Sequence, residues 1–295
     1  MLAEIEPALS KSLATVSSLM PAVEALMHES LGAAPNQKGG AAMAAHQLLA
    51  AGGHRVRARI ALDACLKLSV CRSDATILSA CVELLHSASL VHDDVADQSE
   101  WRRGQRSVYS TSGTAIAVCT GDLLLSAAYG VLSGLSDVDK LGCLLRLVHV
   151  CTSSAIRGQC AEGVPFVAGD ASWSEYEDIV IAKSGALLAL PLEMALTAAD
   201  HEDHVVTAQK ATKAFAVAYQ IMDDIQDRDV DCLRSPSFNA LLILEAAGHG
   251  DSAAGIASDF AKFRLTEAIE AASLLPNGSG DLLTELAEVM LSEFS

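Results

Sequence analysis

Twice in this chain a long apolar stretch with helical spacing runs into the same acidic pattern, two aspartates followed two residues later by a third. The first copy closes ATILSACVELLHSASLVHDDVAD, residues 75–97, and the second sits in TAQKATKAFAVAYQIMDDIQDR, residues 207–228. Apolar residues recurring every three to four positions predict two amphipathic helices with acid in their last turns. Carboxylates there oppose the helix macrodipole, at a normal cost of about 0.3–1 kcal/mol per charge. A single copy reads equally well as an acidic helix end in a chain with 37 acidic residues. A second copy in the same setting calls for a cause.

Within DDVAD, Asp93 and Asp97 are four residues apart and share one helix face; Asp223 and Asp227 in DDIQD do the same. Like charges at that spacing repel unless a cation lies between them, and carboxylate oxygens with water are the ligands magnesium prefers. Two such helices facing each other make a cage for hard divalent ions and a phosphorylated ligand. A calcium loop of the EF-hand type fits less well, because neither copy has its glycine and distal glutamate.

The rest of the chain is compatible with helices throughout. Of its 295 residues 51% are hydrophobic, only 4% are aromatic and 7 are proline, a composition that favours an all-α bundle over a sheet sandwich. Breaks are expected at 32–40, 51–53, 133–139, 163–173 and 234–239, with a connection at 248–255. None resembles an interdomain linker, so one domain spanning 1–295, of roughly ten to thirteen helices, is expected.

A net charge of −17 excludes a nucleic acid held by general electrostatics. Phosphate recognition must therefore be local, through metal ions or a few arginines. Eight cysteines (65, 71, 81, 119, 143, 151, 160 and 232) lie in apolar periodic stretches without paired spacing. They are expected to be reduced, buried small side chains. MLAEIEPALSKSLATV has no basic region before an apolar run, and no apolar run reaches about 18 residues. A soluble, cytoplasmic protein without a transmembrane segment is expected.

Basic residues cluster near the first acidic motif. Arg102 and Arg103, in DQSEWRRGQRS, are suited to bidentate phosphate binding, and Gly104 permits a turn after them. In GGHRVRAR, Gly52 and Gly53 would let backbone approach an anion while His54, Arg55 and Arg57 supply donors. His86 lies seven residues before Asp93, on nearly the same helix face.

Taken in order, GGHRVR, HSASLVHDDVAD, WRRG, GTAIAVCTGDLLL, GQCAE, KSGALL and YQIMDDIQD resemble the trans-isoprenyl diphosphate synthases over residues 50 to 230. The resemblance implies an all-α isoprenoid-synthase bundle with a central cavity between two Asp-rich helices, and a homodimer. It implies that Asp93, Asp94, Asp97, Asp223, Asp224 and Asp227 hold up to three Mg²⁺ ions on the diphosphate of an allylic substrate. Arg102, Lys183 and Gln220 would contact that diphosphate, while His54, Arg55, His86 and Arg103 would hold isopentenyl diphosphate.

The implied reaction ionises the allylic C–O bond and joins the cation to isopentenyl diphosphate, with Asp93, Asp97, Asp223, Lys183 and Arg102 carrying the ionisation. Ala88 and Ser89, one to two turns before the first aspartate, are small; with Leu85 one turn deeper, they imply an open floor and a product of twenty carbons or longer. The chain departs from the family at His54, where a lysine is usual, at Arg106 and Tyr109, and after DDIQD, where a glycine–lysine stretch is replaced by RDVDCLRSPSFNALLI. A terpene synthase, an irregular prenyl coupling enzyme and a noncatalytic regulatory subunit are therefore the alternatives.

Overall fold

The computed structural model describes residues 13–32, 40–163, 172–231 and 238–294. Among these residues there are twelve α-helices and one two-residue-stranded hairpin. They gather into two compact units.

The first unit comprises Met1–Val148 with Met194–Glu202. It contains α1 (Leu13–Ser30), α2 (Ala41–Ala50), α3 (Val56–Lys67), α4 (Arg72–Ala96), β1 (Trp101–Arg102), β2 (Gln105–Arg106), α5 (Val108–Val131) and the start of α6 (Val138–Glu162). Helix α4 packs on α3 and α5. Leu62, Leu78, Leu84 and Leu124 are fully buried among them, and Ala58, Ala61, Ala64, Ala75 and Ala80 let the helix backbones approach closely. That close packing is the structural use of the alanine-rich composition.

Local chemistry fixes the helix starts. Asp74, in the first turn of α4, accepts hydrogen bonds from Ser136 N (2.9 Å) and Ser136 Oγ (2.5 Å). Ser107 caps α5 by accepting from Ser110 N at 3.0 Å. Helix α5 is interrupted at Gly113, whose φ of 80° separates residues 108–112 from the rest.

The second unit comprises His149–Glu193 with Asp203–Ser295. It holds the rest of α6, then α7 (Trp173–Val180), a π-turn at Ile181–Gly185, most of α8 (Ala186–Ala198), α9 (Val205–Asp231), α10 (Ala240–Leu244), α11 (Ala253–Ser273) and α12 (Asp281–Ser292). Helix α11 packs on both α9 and α12. The buried alanines Ala208, Ala211 and Ala218 on α9, and Ala257, Ala261 and Ala268 on α11, again allow small separations. Ser172 and Glu175 form a reciprocal capping box at the start of α7. Asn239 caps α10 by accepting from Leu241 N at 2.9 Å.

Helices expected over 75–97 and 207–228 are found at Arg72–Ala96 and Val205–Asp231. One expectation is corrected. Of the cysteines, Cys65, Cys81 and Cys151 are buried, but Cys71, the extended N-cap residue of α4, is exposed, as are Cys119, Cys143 and Cys160 on helix faces that turn outward. Cys232 lies outside the described residues, as do residues 33–39, 164–171 and 234–237 of the expected breaks.

By length and composition alone, Arg72–Ala96, Val108–Gly134 and Trp173–Ala198 are long and apolar enough to cross a bilayer. No uninterrupted apolar run is involved. Alanine, serine and glycine between the leucines leave the average hydropathy high without one.

Candidate functional site

The first acidic motif occupies the last turn of α4. Asp97 is the C-cap residue, and Gln98 follows with a φ of 52°. Ser99 N then donates to Asp94 O at 2.9 Å and Gln98 N to Val95 O at 3.4 Å, the paired bonds of a Schellman ending. This closure stops the helix directly after the third aspartate.

The three carboxylates have different surroundings. Asp93 is half-buried and Asp97 exposed, whereas Asp94 is only 3% exposed. Arg102 Nε and Nη2 both donate to Asp94 Oδ1, at 2.8 and 2.6 Å. The middle aspartate thus fixes an arginine, leaving Asp93 and Asp97 as the pair one turn apart.

Arg102 and Arg103 diverge because a tight hairpin lies between them. Trp101 pairs with Arg106 and Arg102 with Gln105, so Arg103 and Gly104 form the two-residue turn. Their φ values are 51° and 75°. Two successive left-handed residues are the type I′ geometry that matches strand twist. Arginine in that conformation is strained by about 1–2 kcal/mol relative to its usual backbone. Gly53, with φ 142°, has no side chain where the Arg103 guanidinium lies, and a Cβ there would collide with Nη1. Gly53 therefore makes room for an arginine.

Arg55, Glu83, His86, Asp94, Arg102, Arg103 and Arg106 line a cavity of about 590 Å³ in the first unit, with α2 contributing Gln47 and Leu48. Buried Arg55 donates from Nη2 to Leu49 O at 2.6 Å, and its Nη1 lies 3.6 Å from Glu83 Oε1. Burial first, then the charges of Arg57, Arg103, Arg102 and Arg55, hold the His86 imidazole well below its ordinary pKa of 6.5. His86 therefore enters the site as a neutral hydrogen-bonding ring. His54 stands outside this lining, and its carbonyl accepts from Arg59 Nε at 2.9 Å. Ala88 is buried, while half-buried Ser89 donates to the His86 carbonyl at 2.9 Å.

The second motif lies inside α9, one turn before its end. Asp223 is half-buried, Asp227 exposed and Asp224 3% exposed, repeating the order of the first motif. Asp224 accepts from Tyr176 Oη (2.7 Å), Gln220 Nε2 (2.8 Å) and Ala240 N (2.7 Å). Asn239 Nδ2 also donates to the Asp224 carbonyl at 2.9 Å. Burial outweighs these donors and pushes the Asp224 carboxyl up to about 7. Gln220, expected to meet a diphosphate, is turned onto Asp224.

Lys183 sits in the π-turn and is ion-paired with Glu162. A Cβ on Gly158 would collide with the backbone of Lys183, so the glycine of GQCAE lets α6 lie against that turn. Tyr176, Glu83 and Gly158 were not singled out by sequence. Tyr176 is 48 positions from the aspartate it holds, and no local pattern marks such a pair.

The exposed Asp97 has no cation partner among the described residues, and with Asp93 it forms an all-oxygen donor pair at a helix end. That donor set fits a hard divalent cation. Asp223 and Asp227 offer the same set in the second unit.

A sequence profile of the family described as polyprenyl synthetase matches residues 41–232. The chain is 29% identical over 185 residues to a short chain isoprenyl diphosphate synthase of Methanocaldococcus jannaschii, covering 62% of this chain and 56% of that one. It is 34% identical over 145 residues to a (2E,6E)-farnesyl diphosphate synthase of Mycobacterium tuberculosis, covering 49% and 40% respectively. The chain thus spans about half the length of the curated relatives it matches.

Among solved structures, a geranylgeranyl pyrophosphate synthase superimposes with a TM-score of 0.81 at 20% identity, covering 94% of this chain and 98% of that one. A decaprenyl diphosphate synthase from Rhodobacter capsulatus gives 0.82 at 19% identity, covering 96% and 98%. These likenesses establish the all-α fold of the isoprenoid synthases. The matched segment holds more than half of the chain, both aspartate motifs and the basic cavity, and it makes this chain a member of the polyprenyl synthetase family.

Proposed function

We propose that the protein is a magnesium-dependent prenyltransferase that joins isopentenyl diphosphate to an allylic diphosphate and releases a longer all-trans polyprenyl diphosphate. The observation carrying this reading is the cavity of Arg55, His86, Arg102 and Arg103, which Asp94 of the first acidic motif also lines, cationic in a chain of net charge −17. Membership of the polyprenyl synthetase family supports it.

In this proposal Asp93, Asp97, Asp223 and Asp227 hold up to three Mg²⁺ ions, which, when bound, neutralise the charge of the departing diphosphate. Asp94 and Asp224 act through the groups they hold. Asp94 keeps Arg102 aimed beside the metal-binding pair, and Asp224 fixes the segment of α9 that carries Asp223. Lys183, held by Glu162, adds a positive charge for the allylic diphosphate. Arg55, His86 and Arg103 bind isopentenyl diphosphate; neutral His86 donates one hydrogen bond, and the alkene attacks the allylic carbon as its C–O bond breaks. The proton lost afterwards goes to the departing diphosphate. His54 is left out of the contact set.

Ala88 is buried and small, and this favours a product of twenty carbons or longer. A homodimer working in the cytoplasm belongs to the same proposal. Purified protein incubated with Mg²⁺, isopentenyl diphosphate and allylic primers of several lengths should yield elongated diphosphates by mass spectrometry. Diphosphate-free hydrocarbon would point to a terpene synthase. If no primer is extended, the proposal fails.

A further inference from the structure

The four arginines of the first-unit cavity differ in what neutralises them. Arg55 lies 3.6 Å from Glu83 and 3.5 Å from Glu24, and Arg102 lies 2.6 Å from Asp94. Arg103 and Arg106 have no carboxylate partner among the described residues. Neutralised guanidiniums still donate hydrogen bonds, but they attract an incoming anion weakly. The net positive charge of the cavity therefore resides at Arg103 and Arg106.

Arg106 is also held in place. Its Nε donates to Ser110 Oγ at 2.9 Å, and its guanidinium carbon stands 5.5 Å from the centroid of the Trp101 ring across the hairpin. Its two terminal nitrogens have no acceptor among the described residues, and Arg106 is one of the residues that line the cavity. A guanidinium oriented by two neighbours loses less freedom when it forms a bidentate contact.

Resting on the proposed prenyl transfer, we infer that Arg106 binds the diphosphate of the non-allylic substrate together with Arg103 and sets the affinity for it. Ser110 and Trp101 act as positioning residues for that guanidinium. The diphosphate end of isopentenyl diphosphate, rather than its apolar tail, is what this wall recognises.

Titration calorimetry of the full chain with isopentenyl diphosphate, without divalent metal or allylic substrate, isolates this contact. Arg106→Ala should weaken binding about tenfold, since charge-assisted hydrogen bonds are among the stronger single contacts. Arg106→Lys should weaken it only about threefold, keeping the charge but losing the fork, and Ser110→Ala about twofold. Raising salt should weaken binding by Arg106→Ala less steeply than by the wild type. The Michaelis constant for the allylic diphosphate should not change.

Affinity and salt dependence of Arg106→Ala equal to wild type, alongside a clear loss in Arg103→Ala, would overturn the inference and leave the prenyl-transfer reading standing. A wild-type protein that neither binds isopentenyl diphosphate nor extends any primer would remove both.

Discussion

In DDVAD the middle carboxylate, Asp94, is matched by a cation; in DDIQD its counterpart, Asp224, is matched by three neutral donors from three parts of the chain. Each motif buries the middle aspartate and turns its first and last toward more open surroundings. The difference lies in what the buried anchor joins. Asp94 ties a helix end to the hairpin that carries Arg103 and Arg106, whereas Asp224 ties α9 to α7 and to the start of α10. One spacing is thus supported by a charge pair in one place and by a hydrogen-bond hub in the other.

The comparison fails at its base if the outer aspartates of the two motifs are not equivalent. Asp93→Ala and Asp223→Ala should each lower turnover by about two to three orders of magnitude, the loss typical of a group that stabilises developing charge. Steady-state kinetics at saturating Mg²⁺ measure this. A motif whose first aspartate tolerates alanine is no metal site.

The anchors should separate where the outer aspartates agree. Asp224→Ala strands the donors of Tyr176, Gln220 and Ala240 and should destabilise the fold by about 3 kcal/mol. Asp94→Ala leaves one partly exposed guanidinium able to find water, at a cost of about 1–2 kcal/mol. Urea unfolding decides the order, and a costlier loss at Asp94 would reverse the comparison.

pH offers a sharper contrast. The Asp224 carboxyl is raised from 3.8 in the unfolded chain to about 7 in the fold, so between those values the folded protein binds more protons than the unfolded one. Its contribution to stability is full below about pH 4 and is lost as pH rises through 7. Metal-free wild type should lose that increment between pH 4 and 7, and Asp224→Asn should not. Identical slopes would show that the carboxyl is not raised.

Tyr176→Phe, the smallest change, removes one donor and keeps the ring stacked with Phe238. It should cost about 1 kcal/mol, with turnover falling less than in Asp223→Ala.

Helical periodicity placed α4 and α9 within a few residues, and the four-residue spacing of Asp93 with Asp97 survives intact. Such features are local, set by a repeat of 3.6 residues. What was illegible depends on contacts between distant segments. Nothing near Tyr176 announces Asp224, and Gly53 reads as an anion loop until Arg103 is seen lying over it. The exposed cysteines were missed for the same reason: an apolar helix face says nothing of which way it is turned.

The π-turn at Ile181–Gly185 has a consequence for how this chain tolerates insertion and deletion. A π-turn is wider than an α-helical one and accommodates an extra residue without ending the helix. Deleting Ser184 would remove the extra residue and restore ordinary helical geometry, leaving the helix on either side in phase while the widened turn that presents Lys183 is lost. Gly158 is already pressed against the wider turn and would lose its fit. A chain of this fold without the extra residue would keep both flanking helices in place and differ only at the turn that carries the lysine.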